Sequence, residues 1–118
     1  MLNENAQQEP AIYNQIREDL AKNDVVLYMK GTKESPMCGF SGAIVKLLGT
    51  LNVEFLGRDV LEDPELREGI KTFTNWPTLP QLYIKGEFIG GCDIIRDLHR
   101  EGKFVEILKD AGISYTGN

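Results

Sequence analysis

The run Val25-Val26-Leu27-Tyr28-Met29 leads through a polar loop, Lys30 to Met37, into Cys38 and a helix-patterned segment, and this stretch restricts the fold more than any other. Five apolar residues rich in β-branched and aromatic side chains mark a buried strand. Downstream, Ala43-Ile44-Val45-Lys46-Leu47-Leu48 has helical apolar spacing, which predicts a helix from Cys38 to about Leu51. Gly42 and Gly49 each cost that helix about 1 kcal/mol relative to Ala. Close packing beside the thiol would explain them, as would a frayed end at Gly49. Val53 to Val60 then reads as a second strand running into a loop. Two strands joined by a helix are predicted to be parallel, in a right-handed βαβ unit.

The flanking segments complete a layered fold. Ala11 to Leu20 places Ile12, Ile16 and Leu20 on one helical face, and Asn23-Asp24 ends that helix. Asp63-Pro64-Glu65 is a helix start, with a cap acceptor, a proline in the first turn and an acid at the positive end of the dipole. The helix is expected to run through Leu66, Ile70 and Phe73 and to stop before Asn75-Trp76-Pro77-Thr78-Leu79-Pro80, whose prolines forbid helix and central strand alike. Gln81 to Ile84 and Phe88 to Gly90 flank Lys85-Gly86-Glu87 as an antiparallel hairpin. Gly90-Gly91-Cys92-Asp93 turns into a helix with Ile94, Ile95 and Leu98, followed by a last helix with Phe104, Ile107 and Leu108. The order α-β-α-β-α-β-β-α-α predicts an α/β fold: a four-stranded mixed sheet, parallel in its first half and antiparallel in its second, covered by helices. We read one domain over 11–112 between flexible tails at 1–10 and 113–118.

Composition excludes several classes. Net charge is −5, from 18 acidic and 13 basic residues, with no cluster of Lys and Arg to follow a phosphate backbone, so nucleic acid is not an expected partner. No apolar run approaches the ~20 residues that cross a bilayer, so no membrane span is expected. The first ten residues have neither a secretory nor a transit-peptide pattern. Cytoplasmic residence is the default expectation, and a mature organellar protein would read the same. The two cysteines, Cys38 and Cys92, lie far apart in sequence, with no local metal-ligand pair, and a reducing compartment would keep both as free thiols.

Cys38 carries the chemistry. A thiol at a helix N-terminus faces unpaired N–H groups and the positive end of the macrodipole, which favour the thiolate that attacks disulfides and binds metals. Lys30 and Lys33 are expected to add positive charge nearby. Thiol–disulfide exchange proteins of this layout usually carry a second cysteine three positions later. Here that position is Ser41, which is able to donate to the thiolate or cap the helix but forms no local disulfide. His99, without a neighbouring ligand, reads as a solvated side chain; Trp76 reads either as the edge of a groove or as core, and Phe40 either as an exposed apolar face for a dimer or partner or as a buried aromatic beside the thiol.

At these residues the chain resembles the monothiol glutaredoxins of the Cys-Gly-Phe-Ser class. Four blocks carry the resemblance, in order: Tyr28 to Thr32, Pro36 to Ser41, Asn75 to Gln81 and Gly86 to Asp93. Gly42 departs from the family, which tends to carry a larger residue there. The resemblance implies a thioredoxin-like fold with Pro80 in the cis conformation facing the thiol. A cis X-Pro bond lies only ~0.5–1 kcal/mol above trans, and it would leave the Leu79 backbone open to an extended peptide such as glutathione. By the same resemblance, Lys30 and Arg67 meet the glycine carboxylate of glutathione, Leu79 pairs with its cysteinyl backbone, and Cys92 and Asp93 bind its γ-glutamyl end.

The resemblance further implies a [2Fe–2S] cluster. Such a cluster wants four thiolates, and Cys38 with one glutathione supplies two, so a homodimer supplies four. The expected role is cluster assembly and transfer to apo iron–sulfur proteins, with a BolA-type protein as partner. The alternative is a glutathione-dependent thiol–disulfide oxidoreductase with Cys38 as nucleophile. In that case a second glutathione resolves the mixed disulfide, or Cys92 does if its Cα lies within ~7 Å of that of Cys38. A third class, a binding module with an inert buried Cys38, predicts a thiol that alkylating reagents leave untouched near neutral pH.

Overall fold

The computed structural model describes residues 9–117. Its elements are α1 (Ile12–Lys22), β1 (Val25–Met29), α2 (Gly39–Thr50), β2 (Leu56–Asp59), α3 (Pro64–Thr74), β3 (Gln81–Ile84), β4 (Glu87–Gly90), α4 (Cys92–Arg100) and α5 (Lys103–Asp110). The sheet order is β2-β1-β3-β4. β1 runs parallel to β2 and antiparallel to β3, with Leu27 opposite Gly57 on one side and Leu82 on the other. The expected mixed sheet forms because one helical crossover links β1 to β2 and a two-residue turn links β3 to β4. In that turn both Lys85 (φ 52°) and Gly86 (φ 80°) are left-handed, as the twist of a two-residue hairpin requires.

Every residue of β1 is buried, and its alternating side chains feed two cores. Val25, Leu27 and Met29 pack with Ile44 and Leu48 of α2, Ile95 of α4, and Phe104 and Leu108 of α5. Val26 and Tyr28 face the other way, against Ile12 and Ile16 of α1 and Leu66 and Ile70 of α3. Burial of one such aliphatic side chain is worth roughly 1.5–3 kcal/mol, so the central strand is the main source of cohesion. At the start of α3, Asp63 accepts the Leu66 N–H at 3.1 Å and Pro64 follows, as predicted.

Three expectations need correction. The buried face of α1 includes Asp19 besides Ile12, Ile16 and the half-buried Leu20, which packs on the same core, because Asp19 is drawn inward by a partner on β2. The second strand is shorter than Val53 to Val60: Asn52 is left-handed and the Val53 N–H closes on Leu48 O at 2.9 Å, so Asn52 and Val53 terminate α2. Residues 113–117, assigned above to a flexible tail, lie against the domain. There the Ile113 N–H donates to Leu108 O at 2.9 Å, the Thr116 N–H donates to Leu51 O at 2.8 Å, and Ile113 and Tyr115 pack on the core. Of the N-terminal tail, residues 1–8 lie outside the described residues.

Neither Gly42 nor Gly49 marks a tight contact. A Cβ at Gly42 would touch Pro36 at an ordinary 3.6 Å, and one at Gly49 would meet nothing within 4 Å. Gly49→Ala is therefore expected to raise stability by about 0.5–1 kcal/mol in urea unfolding. An unchanged midpoint would show that the end of α2 is frayed.

Candidate functional site

The loop after β1 is folded tightly on itself. Gly31 has φ +91°, and a Cβ there would lie 2.5 Å from the Met37 nitrogen, so no other residue fits without moving the loop. The Met37 N–H donates to Lys30 O at 2.9 Å, and Thr32 and Ser35 exchange backbone hydrogen bonds. This closure delivers Cys38 in extended conformation (φ −150°, ψ 135°) as the N-cap of α2.

Cys38 is half-buried, and its thiol is held below the ordinary thiol range. The first cause is the Ser41 backbone N–H, joined by the Phe40 N–H, the Lys30 charge and the Ser41 hydroxyl, while burial opposes them. No fully formed cap hydrogen bond closes on Cys38, so these groups act as dipoles oriented at the sulfur. Ser41 is fully buried and its Oγ accepts the Lys30 N–H at 3.1 Å, which leaves its hydroxyl proton for the thiolate. Lys33 does not join this field, contrary to expectation. Its ammonium bonds Phe55 O at 2.6 Å and sits 4.2 Å from the centre of the Phe55 ring, an arrangement that draws it away from the thiol.

The facing wall is the loop between α3 and β3. Asn75 is left-handed (φ 58°) and ends α3, with the Trp76 N–H donating to Lys71 O at 3.0 Å. The buried Gln81 side chain then holds the loop from beneath. Its Nε2 donates to Trp76 O at 3.1 Å and Thr78 O at 3.2 Å, while its Oε1 accepts from the Tyr83 hydroxyl at 3.0 Å. The Leu79–Pro80 bond is cis. The Leu79 side chain is buried, and among the described residues neither of its backbone groups has a hydrogen-bond partner. Gly91 lets α4 approach: a Cβ there would sit 3.2 Å from Pro80 O.

Between these walls lies a cleft of about 600 Å³, and Lys30, Cys38, Arg67, Leu79, Cys92 and Asp93 all line it. Residues dispersed over four segments of chain therefore meet at one place. The cleft also includes Lys71, which the sequence reading missed. Its spacing of one helical turn from Arg67 was the available signal. Trp76 and the exposed Phe40 are edges of the cleft rather than core. Among the described residues, Arg67 Nε and Trp76 Nε1 are buried donors without a partner, and buried donors are nearly always paired. Asp93 is engaged by Arg96 at 2.9 Å in an exposed pair of the kind worth little and easily exchanged. Cys92 is a free, half-buried thiol that burial pushes above its ordinary range. His99, expected in solvent, is half-buried in a separate groove between α2 and α4. Among the described residues no three His, Cys, Asp or Glu side chains gather as a metal site.

One thiol at a helix N-terminus, opposite a cis-proline loop, on a four-stranded mixed sheet with helices on both faces, defines a thioredoxin-like thiol protein. A family model described as Glutaredoxin matches residues 25–89. The probable monothiol glutaredoxin 2 of Rickettsia typhi is 55% identical over 95 residues, covering 80% of this chain and 86% of that protein. The mitochondrial monothiol glutaredoxin-5 of Saccharomyces cerevisiae is 52% identical over 99 residues, covering 81% of this chain and 66% of the yeast protein. The solution structure of a monomeric truncated mutant of Trypanosoma brucei 1-C-Grx1 superposes with TM-score 0.83 at 37% identity, covering 89% of this chain and 96% of that one. The chain belongs to the glutaredoxin family, and within it to the monothiol glutaredoxins.

Proposed function

We propose that the cleft binds glutathione and that Cys38, with the glutathione thiol, holds one half of a [2Fe–2S] cluster shared with a second subunit and passed on to apo iron–sulfur proteins. The observation that carries this reading is the composition of the cleft. It combines one low-pKa thiol, a pair of cationic side chains in Lys30 and Arg67, and an unpartnered backbone at Leu79. An extended tripeptide with a carboxylate at each end complements that set. Lys30 and Arg67 hold its glycine carboxylate, the Leu79 backbone pairs with its cysteinyl residue, and the N-terminus of α4 at Cys92 and Asp93 receives its γ-glutamyl end. The cluster is the cargo. A single chain offers it one thiolate from Cys38, so glutathione and a homodimer complete the ligands, and a BolA-type protein in place of one subunit is the expected heterodimer.

Anaerobic reconstitution with iron, sulfide and glutathione tests the reading. A coloured dimer is expected that Cys38→Ser does not form and that omission of glutathione prevents. A coloured dimer formed by Cys38→Ser would sink it. The activated thiol also favours a second reading, glutathione-dependent disulfide exchange in which the Cys38 thiolate attacks a mixed disulfide. Rapid glutathionyl transfer without cluster formation would select that activity. For location, the cytoplasm stands beside an organelle, since the yeast relative is mitochondrial. No helix among the described residues is long and apolar enough to cross a membrane.

A further inference from the structure

β2 is an edge strand, yet it and the residue just before it make two attachments to the loop that carries the thiol. Asp59, its last residue, lies opposite Met29 in the parallel register. Its Oδ1 accepts the Gly31 N–H at 2.8 Å and the Leu61 N–H at 2.9 Å. On the other flank of the Lys30 Cα, in the preceding peptide unit, the Lys30 N–H donates to Ser41 Oγ at 3.1 Å. The backbone of Lys30 is thus gripped from both flanks, by α2 through Ser41 and by β2 through Asp59. The second attachment is Lys33, bonded to Phe55 O at 2.6 Å. Asp59 is not among the residues lining the cleft, so any influence on a ligand passes through what it holds.

We propose that Asp59 is a positioning residue for Lys30: by fixing the Gly31 amide it aims the Lys30 ammonium into the cleft, where it meets the glycine carboxylate of glutathione. The proposal rests on the reading of the cleft as a glutathione site. A residue that served only the turn after β2 would affect folding and leave ligand discrimination unchanged. A residue that aims Lys30 sets how well the protein distinguishes a free glycine carboxylate from a blocked one.

The test measures binding of glutathione and of its glycine ethyl ester to the reduced protein by calorimetry. Asp59→Ala is expected to bind glutathione about fivefold more weakly, the equivalent of one ordinary hydrogen bond, with affinity for the ester unchanged. Asp59→Asn keeps an oxygen in place for the Gly31 N–H and is expected to recover most of the loss. Equal weakening of both ligands, or none, in a variant whose circular dichroism is native would overturn the proposal. If Asp59→Ala does not fold, Asp59→Ser, too short to reach Gly31 in the same way, carries the comparison. Hydrogen exchange at the Gly31 amide keeps the two ideas separate. Failure of the parent protein to bind glutathione removes the functional reading, whereas unchanged Gly31 exchange in Asp59→Ala removes the grip itself.

Discussion

Arg58→Ala is expected to lower stability by about 3 kcal/mol, a fall of roughly 10–20 °C in the unfolding midpoint. Asp19, on α1, is only 4% exposed, and its carboxylate takes Arg58 Nε at 3.0 Å, Arg58 Nη2 at 2.6 Å and the Tyr28 hydroxyl at 3.1 Å. One ion pair thus joins α1, the central strand and the edge strand. Each partner bears its mark: the Arg58 guanidinium is held above its ordinary range chiefly by its hydrogen bonds to Asp19, and Tyr28 is pushed up first by burial and then by the Asp19 charge. Without Arg58, a buried carboxylate keeps a single hydroxyl as partner, and an uncompensated buried charge is far more costly than the loss of an exposed pair. Replacing both partners, as Asp19→Leu with Arg58→Met, is expected to recover much of the loss, because the desolvation cost disappears with the pair. Urea unfolding of the three variants decides the matter. Equal losses in the single and double variants would show that the pair is not the source.

Alkylation is expected to modify Cys38 well before Cys92 near neutral pH. The two thiols occupy one cleft and are displaced in opposite directions, Cys38 downward by the Ser41 backbone N–H and its neighbours, Cys92 upward by burial. Only the thiolate reacts. The rate midpoint for Cys38 therefore falls below the ordinary thiol range and that for Cys92 rises above it. Each unit of separation is worth about tenfold in thiolate fraction at a pH below both values. Iodoacetamide labelling resolved by peptide mass spectrometry across pH 6–10 reads both midpoints. Ser41→Ala is expected to move the Cys38 midpoint upward and leave that of Cys92 in place. Equal rates for the two thiols would contradict the geometry, and an unreactive Cys38 would return it to the class of an inert buried cysteine.

The same residues explain what was legible beforehand. The apolar run at β1, the Asp63-Pro64 helix start, the Lys85-Gly86 turn and the proline loop are local signals, each written in a few adjacent residues whose conformational preferences need no outside help. They were sufficient for the order of elements and the mixed sheet. The cleft residues were legible through the resemblance, which supplied positions but no geometry. Lys71 was missed because a lysine on a helix surface carries no local sign that its helix faces a cleft.

What the sequence by itself determined is the set of elements, their pairing and the presence of one activated thiol without a local partner, because backbone propensity, apolar period and capping act over a few residues. What only the tertiary structure decided is which charges meet. Lys33 left the thiol for Phe55, Asp19 turned inward to Arg58, Asp59 took hold of Gly31, and residues 113–117 settled on α2 and α5. Each of these is a contact between residues distant in the chain, and a polar or charged side chain finds its partner only when the packed sheet has brought the two together.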